Sequence, residues 1–174
     1  MLRLIHIKTI TAFIIVLFLV LPCYGEQKER SIEQRQYPEF SGIESFGIIL
    51  VYLDFDPRHQ KKLGLKREEL NDFLILKYKN NLADFPYKKA SWSDRLTFPE
   101  DIGVIYLKII TEGVEYPIAY WVELNVGNDA NWNVYEHGKL GYCDKNSIVN
   151  EIKGAITGLM ERFAIAFFKA RGEM

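Results

Sequence analysis

Asp54 and Asp56, two positions apart around Phe55, and His59 just beyond them are the residues whose types and spacing best suit chemistry. Residues two apart on an extended strand point the same way, so both carboxylates can face one ligand. Magnesium and calcium take oxygen ligands of this kind. Two carboxylates alone leave such a coordination sphere incomplete, and no further ligand cluster of matching spacing appears. Asp56-Pro57 at the end of an apolar run is also ordinary turn chemistry, and a turn is the primary reading.

The other candidates are weaker. His137-Gly138 reads as an exposed pair after a strand. A hydrolytic triad needs a nucleophile held by a histidine that a carboxylate orients. Ser91, Ser93 and Ser147 lie outside any nucleophile-elbow sequence, and Cys143 lacks the neighbouring base that would depress its pKa. No Gly-rich phosphate loop or Walker-type lysine motif occurs. The sequence therefore names no catalytic residue and no cofactor. A small metal-dependent or acid–base enzyme at Asp54, Asp56 and His59 stands as an alternative to a binding function.

The elements that would position these residues follow an export signal. Arg3, Lys8 and the amino terminus make a positive start, and Ile10 to Leu21 is apolar apart from Thr11. Pro22 breaks the stretch, and Cys23-Tyr24-Gly25 sets small residues three and one before a cut after Gly25. The apolar core is shorter than the roughly 18–20 residues that span a bilayer. Residues 1–25 are thus read as a cleaved signal peptide, in preference to an uncleaved anchor or a lipoprotein acylated at Cys23.

Cleavage leaves 149 residues with a net charge of −3, because Arg3 and Lys8 depart and no acidic residue does. Such a domain has no concentrated basic surface for nucleic acid or anionic lipid. A membrane would be met only through the signal segment, if uncleaved. Cys143 is the one cysteine left, so an internal disulfide is excluded.

Residues 26–44 are polar and charged and read as a flexible tether, and 45–172 as one α+β domain. Gly47 to Leu53 is a β-branched, apolar strand. Lys66 to Leu82 carries Leu70, Phe73, Leu74 and Tyr78 at helical steps. Asp84 to Lys89 suits a short strand, and Ser91 to Asp101 a loop. Ile102 to Thr111 and Tyr116 to Val126 suit a hairpin, with a further strand from Trp132 to about His137. Ile148, Ile152, Ile156, Leu159, Phe163 and Phe167 mark a long helix, capped by oxygens of Asp144 and Asn146-Ser147 and stopped at Gly172. Gly154 and Gly158, on one stripe of it, suggest close packing on the sheet or the first helix.

The order β-α-β-β-β-β-α predicts a mostly antiparallel, four- to five-stranded sheet with two helices packed on one face. This element order resembles that of small periplasmic α+β modules of envelope assembly, such as the amino-terminal domain of TolB-type proteins. The resemblance implies a fold and no site residues.

Alternation assigns the two sheet faces. Ile49, Val51, Leu53 and Phe55 face the core, as do Ile105, Leu107 and Ile109, and alternate residues from Ile118 to Val126. Phe46, Ile48, Leu50, Tyr52 and Asp54 face the other way, with Tyr106, Lys108, Trp121, Glu123 and Asn125. If both helices lie on one face, Ile48, Leu50, Tyr52, Tyr106 and Trp121 form a contact surface for an envelope or secreted protein, or for self-association. The alternatives are that the tether, or the Ser91–Asp101 loop with Trp92, covers this face, or that an apolar cleft carries a small ligand. Amino-terminal sequencing of the exported protein should read Glu26-Gln27-Lys28; a chain still beginning at Met1 would overturn cleavage.

Overall fold

Ser45–Asp54 forms β1, as its run of β-branched and aromatic residues leads one to expect. A computed structural model describes residues 36–54, 57–87, 101–128, 131 and 133–174, without the side chains of Ile48, Pro57, Arg58 and Gln60. The expected signal peptide, most of the tether, Phe55, Asp56, Trp92 and Trp132 lie outside those residues. Two helices follow β1: α1 at Pro57–Leu63, not anticipated, and α2 at Arg67–Asn81. Then come β2 at Ile102–Glu112, β3 at Ile118–Gly127, β4 at Tyr135–Cys143 and α3 at Ile148–Arg171.

The fold is α+β with a mixed sheet in the order β1-β2-β3-β4. β2, β3 and β4 form the antiparallel meander that the turn chemistry predicts. β1 pairs with β2 in parallel, so the sheet is mixed, with two of its three strand pairings antiparallel. The intervening α1 and α2 carry the chain back to its starting end, as a parallel connection requires. The expected strand over 84–89 reduces, within the described residues, to one parallel bridge between Tyr87 and Phe46.

Both α2 and α3 pack on the face that carries Ile49, Val51, Leu53, Leu107, Val122 and Leu124. All six apolar positions predicted on the last helix, from Ile148 to Phe167, are buried. The Asp144 carboxylate accepts hydrogen bonds from the Asn146 and Ser147 N–H groups at 2.7 and 3.0 Å, whereas Ser147 makes no side-chain cap. Gly172, with φ of 74°, ends the helix in the left-handed conformation that glycine adopts freely.

Four expectations need correction. Phe46 belongs to the core, fully buried, because a register shift between Phe46 and Ile48 reverses the parity of the strand. Its ring lies over Gly103, where an added Cβ would come 2.4 Å from Phe46 Cε1. The tether ends earlier than expected: a 3-10 helix at Pro38–Gly42 places Phe40 in the core, and Ile43 follows it. β4 starts later and runs longer than the expected 132–137, so His137-Gly138 lies within a strand. Gly154 and Gly158 are not close-packing positions, since a Cβ on either would meet nothing within 4 Å.

Arg171 ties the two ends of the described domain together. Its Nη1 donates to the carbonyl oxygens of Phe40 and Ile43 at 3.1 and 2.8 Å. Its guanidinium also lies 5.2 and 5.4 Å from the ring centroids of Phe85 and Phe167. Losing charged donors to two carbonyls costs about 1.5–3 kcal/mol, so Arg171→Gln should lower the unfolding free energy by about that amount in urea titration. In the same assay Gly154→Ala should gain about 0.5–1 kcal/mol, and Gly103→Ala should lose about 1–3 kcal/mol to the Phe46 clash.

Candidate functional site

The sheet face opposite the helices is built in cross-strand rows. One row runs Leu50, Tyr106, Asn125, Glu136; the next runs Tyr52, Lys108, Glu123, Gly138; the third runs Asp54, Ile110, Trp121, Leu140. Directly opposite side chains on one face lie close enough to interact, so these rows define what a ligand would meet.

Glu123 organises the centre. Residues 121, 123 and 125 lie on the same side of β3, because strand side chains alternate. The Trp121 indole N–H donates to Glu123 Oε2 at 2.9 Å, and the Asn125 amide donates to Oε1 at 2.7 Å. Burial pushes the Glu123 carboxyl pKa up, but these two hydrogen bonds and the charge of Lys108 outweigh it, and the net shift is downward. Lys108 Nζ in turn reaches Asp54 Oδ2 at 3.4 Å.

The indole is also held from below. It lies across Gly138, where a Cβ would fall 2.0 Å from Trp121 Cζ2, so no larger residue fits without moving the ring. On the opposite face the Tyr120 ring covers Gly141 in the same manner, at 2.3 Å from a built Cβ. The Tyr120 hydroxyl donates to Glu151 Oε2 on α3 at 3.1 Å. Aromatic rings over strand glycines restore the packing that glycine lacks, which explains how a strand contains both Gly138 and Gly141.

The face is graded from closed to open. Val104 and Asn125 are buried at one end. Toward the other, Tyr52 is 40% exposed, Leu140 57% and Tyr142 67%. Tyr52 and Tyr106 stack with centroids 6.1 Å apart. Of the five residues predicted for a contact surface, Tyr52 is exposed, Leu50, Tyr106 and Trp121 are half-buried, and the Ile48 side chain lies outside the described residues. Leu140 and Tyr142 were missed, because the expected strand ended at about His137, with His137-Gly138 read as an exposed pair after it. The two-residue spacing of Leu140 and Tyr142, in step with Gly138 and on the opposite parity to Gly141, is the signal that could have found them.

The Asp54–Asp56–His59 candidate is only partly visible. Asp54 ends β1 with its carboxylate on Lys108, His59 sits half-buried on α1, and Asp56 lies outside the described residues. Among the described residues no group of three His, Cys, Asp or Glu side chains is arranged to hold a metal. Cys143 is buried at the end of β4, and burial raises its thiol pKa. A cleft of about 310 Å³ lies beside the carboxyl end of α2, lined by Tyr78, Leu82, Phe85 and Tyr87 among others.

The lowered Glu123 pKa has a definite sign in stability. A carboxyl held below its unfolded value stabilises the fold above that value, and the stabilisation is lost as pH falls through the folded pKa. Between about pH 5 and 3, the native protein should therefore lose stability faster than Glu123→Gln, followed by tryptophan fluorescence during urea unfolding. Parallel curves for the two proteins would contradict the network. Comparison of the chain with protein-family models, with curated proteins and with solved structures finds no match.

Proposed function

We propose that this protein is an exported, non-enzymatic module of the cell envelope or secreted space that holds a protein partner on the outer face of its sheet. The observation that carries this reading is Trp121: half-exposed, fixed by Glu123 and seated over Gly138, it stands directly opposite the exposed Leu140, with Tyr142 further along β4. Tryptophan and tyrosine anchor interfaces because they bury large areas at low conformational cost. A ring already locked in position loses little further freedom on binding.

The polar groups fit the same reading. Lys108, Asp54 and Glu123 lie beside the aromatic residues and are already engaged with one another, so an apolar partner need not strip an isolated charge of water. Export rests on the residue pattern of 1–25, with the mature chain beginning at Glu26. Among the described residues no helix is long and apolar enough to cross a membrane.

Affinity capture from the native envelope with Leu140→Glu and Tyr142→Glu tests the proposal. Both side chains are exposed, so each variant should keep its circular dichroism spectrum and its stability within about 0.5 kcal/mol. A partner retained by the native protein and lost by both variants is the expected result. A partner held equally by all three proteins would overturn the outer-face assignment. Capture of the chain by itself, lost in the same variants, would identify self-association as the use of the face.

A further inference from the structure

The sheet has two edges, and they are treated differently. At β1, the Val51 N–H donates to Asn71 Oδ1 on α2 at 3.2 Å, and the Phe46 N–H donates to the Pro86 carbonyl at 3.0 Å. Tyr87 adds its bridge to the same edge. At β4, among the described residues, no backbone hydrogen bond beyond the ladder to β3 reaches Tyr135–Cys143. An edge strand turns alternate N–H and C=O groups outward, and pairing them with an extended segment is an established recognition mode.

The side chains along β4 specify the segment. On the outer parity, Leu140 and Tyr142 are exposed beside Trp121. On the inner parity, His137 and Lys139 are exposed although that side faces the helical layer. The flank of α3 that borders β4 is marked by Glu151, bonded to Tyr120, and by Arg162, whose charge acts on Tyr135. Gly158 lies on that flank between them, with open space around it. Among the described residues neither Lys139 nor Arg162 has an ion-pair partner. The edge therefore offers an apolar row on one side and, on the other, cations that have no ion pair among the described residues.

The same residues resist a second copy. Two-fold antiparallel pairing about the middle of β4 sets Lys139 against Lys139 of the second copy. Like charges directly opposite destabilise a strand pair.

We propose that β4 accepts an extended partner segment whose apolar side chains lie against Leu140 and Tyr142 and whose acidic side chains meet Lys139 and Arg162. This deepens the outer-face reading, since Leu140 and Tyr142 serve both, but it has a separate readout. The purified protein is titrated with two peptides of about nine residues, one alternating Val with Glu and the other Val with Lys, while amide hydrogen exchange is followed by NMR. The Val–Glu peptide should slow exchange of the outward β4 amides about tenfold or more, the Val–Lys peptide should not, and Lys139→Glu should reverse the preference. No slowing, equal slowing by both peptides, or slowing that grows with protein concentration alone would overturn the proposal. Trp121 and Tyr142 resonances that shift while β4 exchange stays unchanged would leave the outer-face reading standing and remove the edge assignment.

Discussion

A chain of aromatic rings holds this domain together. Phe46 meets Tyr78, Phe85, Phe163 and Phe167 with centroids between 5.6 and 5.9 Å apart. Phe40 reaches the same two α3 rings, and Tyr135 brings β4 to Phe163. The cluster thereby joins the 3-10 helix, the first strand, the end of α2, the turn behind it, the last strand and α3. Edge-to-face and tilted pairs of this kind each add about 0.5–1.5 kcal/mol beyond the area they bury. Two local features make it possible: the bulge that turns Phe46 inward, and Gly103, which leaves room for its ring. Arg171 then closes the cluster, bonding the carbonyls of Phe40 within the 3-10 helix and of Ile43 directly after it, and lying over two of the rings.

The layered arrangement has consequences for the two sheet faces. One layer of helices suffices to bury the inner face, so the outer face keeps a mixture of aromatic and charged groups. Its order comes from Glu123, whose two carboxylate oxygens are used by two neighbours on the same strand. β4 supplies the floor, since Gly138 and Gly141 admit a ring on each side of the sheet. The strand that gives Trp121 its seat is also the strand with no backbone partner beyond β3 among the described residues. The proposed contact surface and the proposed strand-accepting edge are thus adjacent uses of one element.

Much of this was legible in the residues. The stripe from Ile148 to Phe167 predicted α3 and its buried face, and alternation along 105–126 separated the core row from Tyr106, Lys108, Trp121 and Glu123. These repeats are dense and local, and burial reinforces each at every turn or every second residue. β4 was legible only in part. Gly138 and Gly141 carry turn chemistry in isolation, and only Trp121 and Tyr120 on the neighbouring strand make them tolerable inside a sheet. Leu140 and Tyr142 were missed because the expected strand ended at about His137.

The sequence by itself determined the α+β class, the buried stripes of α2 and α3 and the facing of the hairpin strands, because each depends on side-chain periodicity within one segment. Tertiary structure alone decided the parallel direction of β1, the reversal of Phe46, the inclusion of Phe40 and Ile43 in the core, and the capping of the β1 edge by Asn71 and Pro86. Each of these is settled by a partner far away along the chain. The free energy of such a contact exists only once the intervening loops have closed, and no local pattern records it.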